Sequence, residues 1–379
     1  MVRTPQNEEN APVSDPSVST YHSYANTLVA NYGLRLGIEQ DAQMLGSAQA
    51  WQLVAQLVEF VDPKLLPVDP PSKKSIIEGV MQLAGECSEH LIDPETIIEW
   101  CQQQIAALEN IDKPGAVSER NKLVQRLHNR VFYALLVQQY SRLKKQMQVM
   151  DYGDLVALAA RIAREIPQAS ATERDRFKVV LLDEFQDTSH AQMQLFSDLF
   201  GGTKGREEHP VMAVGDPKQS IYGFRGASDG QLFSFYSYFP TQDTTASYLT
   251  VAWRNDTAIL HAANRVADPL KVQPAWVRSP HQVDVPDLVA RPEPGVGQVL
   301  MGRYLTDQEE ARSMVERIAQ ERAHHAHRPL TEMPTMAVLC KKRAMMEPIR
   351  QACEELDVPY QIVGLGGLLD TPEVIDMVS

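Results

Sequence analysis

The stretch Val179-Val180-Leu181-Leu182-Asp183-Glu184-Phe185-Gln186-Asp187-Thr188 constrains the fold more than any other part of the chain. A short apolar run that ends in two adjacent carboxylates reads as a buried parallel strand delivering charge to a sheet edge, where α/β proteins keep their chemistry. Asp183 is placed to hold Mg²⁺, usually through a water. Glu184 is placed to orient or deprotonate a water attacking a phosphoryl group, because such transfer depends on charge neutralisation and positioning. The plainer reading of the same residues is a strand running into an exposed acidic turn.

A second constellation follows. Val211 to Val214 is another short apolar run, and it empties into Gly215-Asp216-Pro217-Lys218-Gln219-Ser220-Ile221-Tyr222-Gly223-Phe224-Arg225-Gly226-Ala227. Gln219 suits sensing of a terminal phosphate or its water. Tyr222 and Phe224 offer flat faces for unpaired bases, each stack contributing about 1–3 kcal/mol. Two aromatics in a loop are equally the mark of ordinary packing.

Taken together, Leu-Leu-Asp-Glu-Phe-Gln-Asp-Thr and Val-Gly-Asp-Pro-Lys-Gln-Ser-Ile-Tyr-Gly-Phe-Arg-Gly-Ala resemble motifs II and III of the UvrD/Rep/PcrA-like superfamily 1 DNA helicases. Ser19-Thr20-Tyr21-His22-Ser23-Tyr24 resembles that family's Thr-Phe-His-Ser segment. Met150-Asp151-Tyr152-Gly153-Asp154-Leu155 is similar to its Asp-Phe-x-Asp-Leu box, and Leu249-Thr250-Val251-Ala252-Trp253-Arg254-Asn255 to its motif IV. There the family usually carries Asn-Tyr-Arg, so Ala252-Trp253 departs while Arg254 stays. The resemblance implies an ATP-dependent DNA helicase moving 3′ to 5′, with ATP and Mg²⁺ as cofactors and single-stranded DNA or single/double-strand junctions as partner. It assigns Asp183 and Glu184 to Mg²⁺ and water, and Gln219 and Arg254 to the terminal phosphate. His22, Tyr222 and Phe224 fall to single-stranded DNA, with Arg225 a family position on the same loop. By itself, His22 fits a core or capping histidine just as well.

The expected fold class is α/β, with partial RecA-like motor domains of the P-loop NTPase type, parallel sheets and an all-helical insertion. Residues 1–17, rich in Pro, Asn, Ser and Glu, are expected to be disordered. Residues 18–37 and 149–240 are assigned to a first motor domain, 38–148 to the helical insertion and 241–379 to part of a second motor domain.

Within the insertion, Met44, Ala48, Trp51, Ala55 and Val58 share a helical face with Asp41 as N-cap. After a break from Pro63 to Pro71, a second helix is predicted from Ser75 to His90. A third opens at Asp93-Pro94. One long helix is then predicted between Ser118 and Gly153. Its Arg120, Lys122, Arg126, Arg130, Arg142, Lys144 and Lys145 make either a basic ridge near DNA or a solvated face.

Alternation then predicts helices at Asp154–Arg164, Ser189–Phe200, Asp229–Phe239, Asp256–Val266, Asp307–Arg322 and Met345–Leu356. Strands are predicted at Lys178–Asp183, Val211–Asp216, Ser247–Val251, Gln298–Tyr304, Thr335–Cys340 and Tyr360–Val363. The closing Val363 to Val374 resembles the family segment before its second insertion.

A chain of 379 residues, 44% hydrophobic, can fill two or three cores. No apolar run approaches the roughly 20 residues of a membrane span, and the N-terminus lacks the order of a signal peptide, so the cytoplasm is expected. A net charge of −13 argues against coating DNA by bulk charge. Contact should instead be local, led by stacking, selective for single strands and tolerant of base sequence. Cys87, Cys101, Cys340 and Cys353 lack C-x-x-C spacing and are expected to be reduced, metal-free thiols.

A phosphate loop takes the form G-x-x-x-x-G-K-[ST], and the sequence contains no Gly-Lys dipeptide. The family places that loop upstream of the His22 box and its last motifs downstream of residue 379. The expectation is therefore an internal portion of the motor, inactive alone. Two rival readings are a non-catalytic DNA- or protein-binding remnant and the motor part of a helicase-nuclease.

Overall fold

The computed structural model describes residues 16–38, 42–67, 69–110, 117–202, 209–221, 235–240, 247–271 and 285–363. It divides into two compact units, Met1–Thr250 with Arg265–Asp287, and Val251–Asn264 with Leu288–Ser379. The expected disorder of residues 1–17 falls almost wholly outside the described residues, as do Asp41 and the segment after Val363.

In the first unit, α1 (Tyr21–Tyr32) is capped by Thr20, whose hydroxyl accepts the Ser23 N–H. Four helices follow: α2 (Ser47–Glu59), α3 (Lys73–Glu89), α4 (Pro94–Glu109) and α5 (Val117–Gln146). Ser72 caps α3, and Asp93 caps α4 ahead of Pro94 at its first position, where the missing N–H costs nothing. This helical excursion leaves and returns on neighbouring parallel strands, β1 (Gln43–Met44) and β2 (Val149–Met150), with Gln43 opposite Val149.

The chain continues through α6 (Tyr152–Glu165), α7 (Pro167–Arg176), β3 (Val180–Leu182), α8 (His190–Phe200) and β4 (Val211–Ala213). β3 and β4 are parallel, with Leu181 opposite Met212.

Separate apolar clusters hold these parts. Leu28 of α1, Ala159 and Ile162 of α6, Phe185, and Leu195, Leu199 and Phe200 of α8 are buried together. Val54, Ile77, Val80, Leu136, Val137 and Tyr140 make a second core among α2, α3 and α5. Each large apolar side chain so buried stabilises by about 1.5–3 kcal/mol.

The second unit holds the parallel pair β5 (Val251–Ala252) and β6 (Val289–Ala290). α9 (Thr257–Ala267) follows β5. α10 (Asp307–His324) and α11 (Met346–Glu355) pack through Ala311, Val315, Ala352 and Cys353.

The structure corrects several expectations. α2 begins at Ser47, and Met44 belongs to a strand. The buried face of α2 is Ala50, Leu53, Val54 and Val58, because Leu53, Val54 and Val58 are the side chains that pack with Ile76, Ile77 and Val80 of α3 and Leu136 and Val137 of α5, which leaves Trp51 41% exposed. Lys144 is no part of a basic ridge, being 4% exposed and paired with two carboxylates. α7 was not anticipated, since its stripe is mostly Ala and Ser beneath charged residues.

Gln298–Tyr304, Thr335–Cys340 and Tyr360–Val363 form no ladder among the described residues. Met301 is 98% exposed and Leu339 94%, so no neighbour supplies the hydrogen bonds or apolar cover that would make strands of them. Of Asp229–Phe239, residues 235–238 are helical and the earlier part lies outside the described residues.

Candidate functional site

β3 stops at Leu182 and leaves Asp183 and Glu184 exposed at the sheet's C-terminal edge. The turn there is tight. Glu184 takes a left-handed backbone, φ 49° and ψ 41°, a conformation costing a non-glycine residue about 1–2 kcal/mol. Three contacts offset the strain. Glu184 N–H donates to Asp183 Oδ1 at 3.0 Å, and the next residue, Phe185, is fully buried. Phe185 N–H donates to the Val214 carbonyl at 3.0 Å, extending the β3–β4 ladder into the turn.

Gln186, which sequence reasoning passed over, joins the two motifs. It is 1% exposed. Its amide Nε2 donates to Glu184 Oε2 at 2.6 Å, while its Oε1 accepts the Asp216 N–H at 3.0 Å. Asp216 in turn accepts from Gln219 Nε2 at 2.9 Å and from the Lys218 N–H at 2.9 Å. A continuous set of hydrogen bonds thus runs from Glu184 through Gln186 and Asp216 to Gln219. Gly215 makes room for it, since a Cβ there would lie 2.7 Å from Gln186 Oε1 and 3.0 Å from its backbone nitrogen. An amide two residues from a carboxylate is a ready bridge, but its second partner lies 30 residues on, and no local pattern marks it.

Asp187 closes the turn. Its Oδ1 is buried and has no hydrogen-bond partner among the described residues. Burial, with the charge of Glu184, pushes its carboxyl up.

The His22 segment lies against the same edge. Tyr21 Oη donates to the Asp183 carbonyl at 3.0 Å, and its ring meets Phe196 edge-on at 5.5 Å. Burial, with Asp183 and Glu184 nearby, raises the Tyr21 phenol, so it remains a donor. One residue on, His22 is exposed, and its ring sits 6.0 Å from that of Tyr152, itself 61% exposed. Tyr152 was missed as a neighbour of His22 because the tyrosine opens a helix that the sequence marks mainly by its aspartates.

Those aspartates do separate work. Asp151 caps α6 and exchanges a reciprocal pair of bonds with Asp154. Lys144 of α5 reaches both, at 2.7 Å and 2.5 Å, and Tyr140 Oη donates to Asp151. Burial works against charge on Asp151, but Lys144, the Asp154 N–H and the Tyr140 hydroxyl together hold that carboxyl low. Burial and the neighbouring Asp151 lift Asp154.

Arg254 lies in the second unit, exposed, between β5 and α9. Tyr222, Phe224 and Arg225 lie outside the described residues.

Paired carboxylates at a parallel strand's end, bonded across to the turn after the neighbouring strand, belong to a helix-rich α/β unit with small parallel sheets. Comparison makes this specific. Residues 2–240 match the UvrD/REP helicase N-terminal domain, and the chain belongs to that helicase family. It is similar to ATP-dependent DNA helicase PcrA of Staphylococcus epidermidis strain RP62A, 23% identical over 366 residues, 96% of this chain and 42% of the relative. It is likewise similar to PcrA of Staphylococcus aureus strain Mu50, 23% identical over 365 residues with the same coverage. The chain therefore spans 42% of the length of these relatives. Among the described residues, no helix is long and apolar enough to cross a membrane.

Proposed function

We propose that this chain carries the water-positioning and single-strand-contacting part of an ATP-dependent DNA helicase that moves 3′ to 5′ in the cytoplasm. The observation that carries the reading is the bonded path Glu184–Gln186–Asp216–Gln219, which ties the carboxylate that would orient water to the turn that opens the aromatic loop. Residues 18–37 and 149–240 would belong to a RecA-like first motor domain, 38–148 to its helical insertion and 241–379 to part of a second.

Asp183 suits Mg²⁺, because an exposed carboxylate at a strand end can take a hard cation that keeps its waters and the nucleotide's phosphates as further ligands. Bound there, the ion would supply charge neutralisation on the phosphates. Glu184 would orient or accept a proton from the attacking water, held at its angle by Gln186. Gln219 and Arg254 would read the terminal phosphate. His22, with Tyr152 beside it, and Tyr222, Phe224 and Arg225 would meet the single strand. With no Gly-Lys dipeptide, these residues alone are expected to show no appreciable DNA-stimulated hydrolysis.

Two assays test the reading. A labelled oligonucleotide followed by fluorescence anisotropy should bind as a single strand in preference to duplex, with Phe224→Ala weakening it by about 1–3 kcal/mol. Unchanged affinity in Phe224→Ala, alongside complete loss on reversing Arg126 and Arg130, would sink the stacking model. Phosphate release by the purified chain is the second measurement, and robust turnover abolished by Glu184→Gln would overturn the expected inactivity.

A further inference from the structure

We infer that Arg291 is a positioning residue for Arg254, fixing the short loop that presents it. The proposal rests on the reading of Arg254 as a phosphate contact. The loop Trp253-Arg254-Asn255-Asp256 joins β5 to α9, and loops of this length are set by what satisfies their carbonyls. Arg291, one residue after β6, satisfies them from the side. Its Nη1 donates to the Trp253 carbonyl at 3.3 Å and to the Asn255 carbonyl at 3.3 Å, the two peptide oxygens that flank Arg254. Its Nη2 donates to Asp256 Oδ1 at 2.9 Å.

The same aspartate oxygen accepts the Gly295 N–H at 3.1 Å, so the 291–297 segment is pinned to the loop at both ends. The first free N–H groups of α9 are taken as well, Thr257 by the Gly295 carbonyl at 3.2 Å and Ala258 by the Val296 carbonyl at 2.9 Å. Glycine is required for this approach. At Gly297, φ is 68° and a Cβ would fall 2.8 Å from Asp256 Cβ, while at Gly295 it would fall 2.7 Å from Asp256 Oδ2.

With the helix N-terminus closed by backbone carbonyls, an anion arriving here would meet the exposed Arg254 side chain rather than the helix's own N–H groups. The planar fork of Arg291, half-buried with its side chain 29% exposed, spans three acceptors at once. A lysine keeps the charge but offers a single ammonium and cannot hold that fork geometry.

Amide hydrogen exchange by mass spectrometry on the full chain tests this, using wild type, Arg291→Lys, Arg291→Ala and Arg254→Ala, each with and without Mg-ATPγS. Without nucleotide, exchange at residues 255–258 and 293–297 should rise about tenfold in both Arg291 variants, equivalent to about 1.4 kcal/mol of lost protection. It should stay unchanged in Arg254→Ala and in the peptides of α10 and α11. With nucleotide, wild type should gain protection across residues 253–258, Arg254→Ala should not, and Arg291→Lys should gain markedly less.

Unchanged exchange at residues 255–258 in Arg291→Lys would overturn the positioning role. Raised exchange with the full nucleotide effect retained in Arg291→Lys would reduce Arg291 to a structural strut and overturn the link to Arg254. No nucleotide effect in wild type, with the Arg291 variants still loosening the loop, would instead overturn the phosphate-reading role of Arg254.

Discussion

Gln186 Oε1 accepts the Asp216 backbone N–H at 3.0 Å from a side chain only 1% exposed, so the two strand-end turns share one buried amide. Gln186→Leu removes both halves of that bridge and leaves the Asp216 N–H without its partner. The expected loss is about 1–3 kcal/mol in urea unfolding. Gly215→Ala should cost a similar amount by pushing the same amide aside, and a neutral result in both variants would remove the bridge from the account.

Lys144→Ala leaves Asp151 and Asp154 facing each other without their shared cation. Breaking a buried ion pair costs about 3–5 kcal/mol, and the lower end applies because the two carboxylates keep 26% and 30% exposure. Lys144→Ala with Asp154→Asn should recover part of that loss, measured as a double-mutant cycle.

Acid should loosen the seam between α3 and α8. Burial, and then the neighbouring His90, lowers His190 below the ordinary histidine value, and its ring also meets the Tyr238 hydroxyl at 3.4 Å. Burial, followed by the charge of Arg174, shifts His209 the same way. A folded value below the unfolded one favours the neutral ring in the fold. The stability it contributes is therefore intact above about pH 6.5 and is lost as pH falls through the depressed folded values. Melting temperature should drop between about pH 7 and about pH 5, and His190→Gln should flatten that slope.

The exposed ring of Tyr152 gives a prediction on binding. If it stacks beside His22, Tyr152→Ala should weaken single-strand affinity by about 1–3 kcal/mol with little change in salt dependence, since no phosphate contact is lost. A steeper salt slope in that variant would point to a charge contact instead.

Legibility followed local chemistry. Asp93-Pro94, Ser189 and the break-free run after Ser118 carry their own capping and continuity signals, and α4, α8 and α5 begin within a residue of the starts read from them, while α4 ends at Glu109 and α5 at Gln146, short of the Gly and Pro breaks that follow. The adjacent carboxylates were legible because a strand's end is marked by a change from apolar to acidic residues. Gln186 and Arg291 were not, because each bonds backbone groups remote in sequence, the Asp216 N–H for one and the Trp253 and Asn255 carbonyls for the other, and nothing in the pattern of side chains says where a distant peptide group will lie. Lys144 looked like its basic neighbours on α5 until the approach of α6 buried it. The later apolar runs such as Gln298–Tyr304 had the composition of strands but not the neighbours, and a ladder is a property of two segments.

The left-handed backbone at Glu184 sets thermal robustness against the chemistry proposed for its carboxylate. Glycine accepts that conformation freely, so Glu184→Gly should unfold about 1 kcal/mol later than a Glu184→Ala control, even as it deletes the carboxylate that would orient water. A library screened only for heat resistance would drift toward emptying this position. One screened for turnover in a complete motor carrying this segment would keep the strained residue, and the distance between the two outcomes measures how much folding stability this strand edge surrenders.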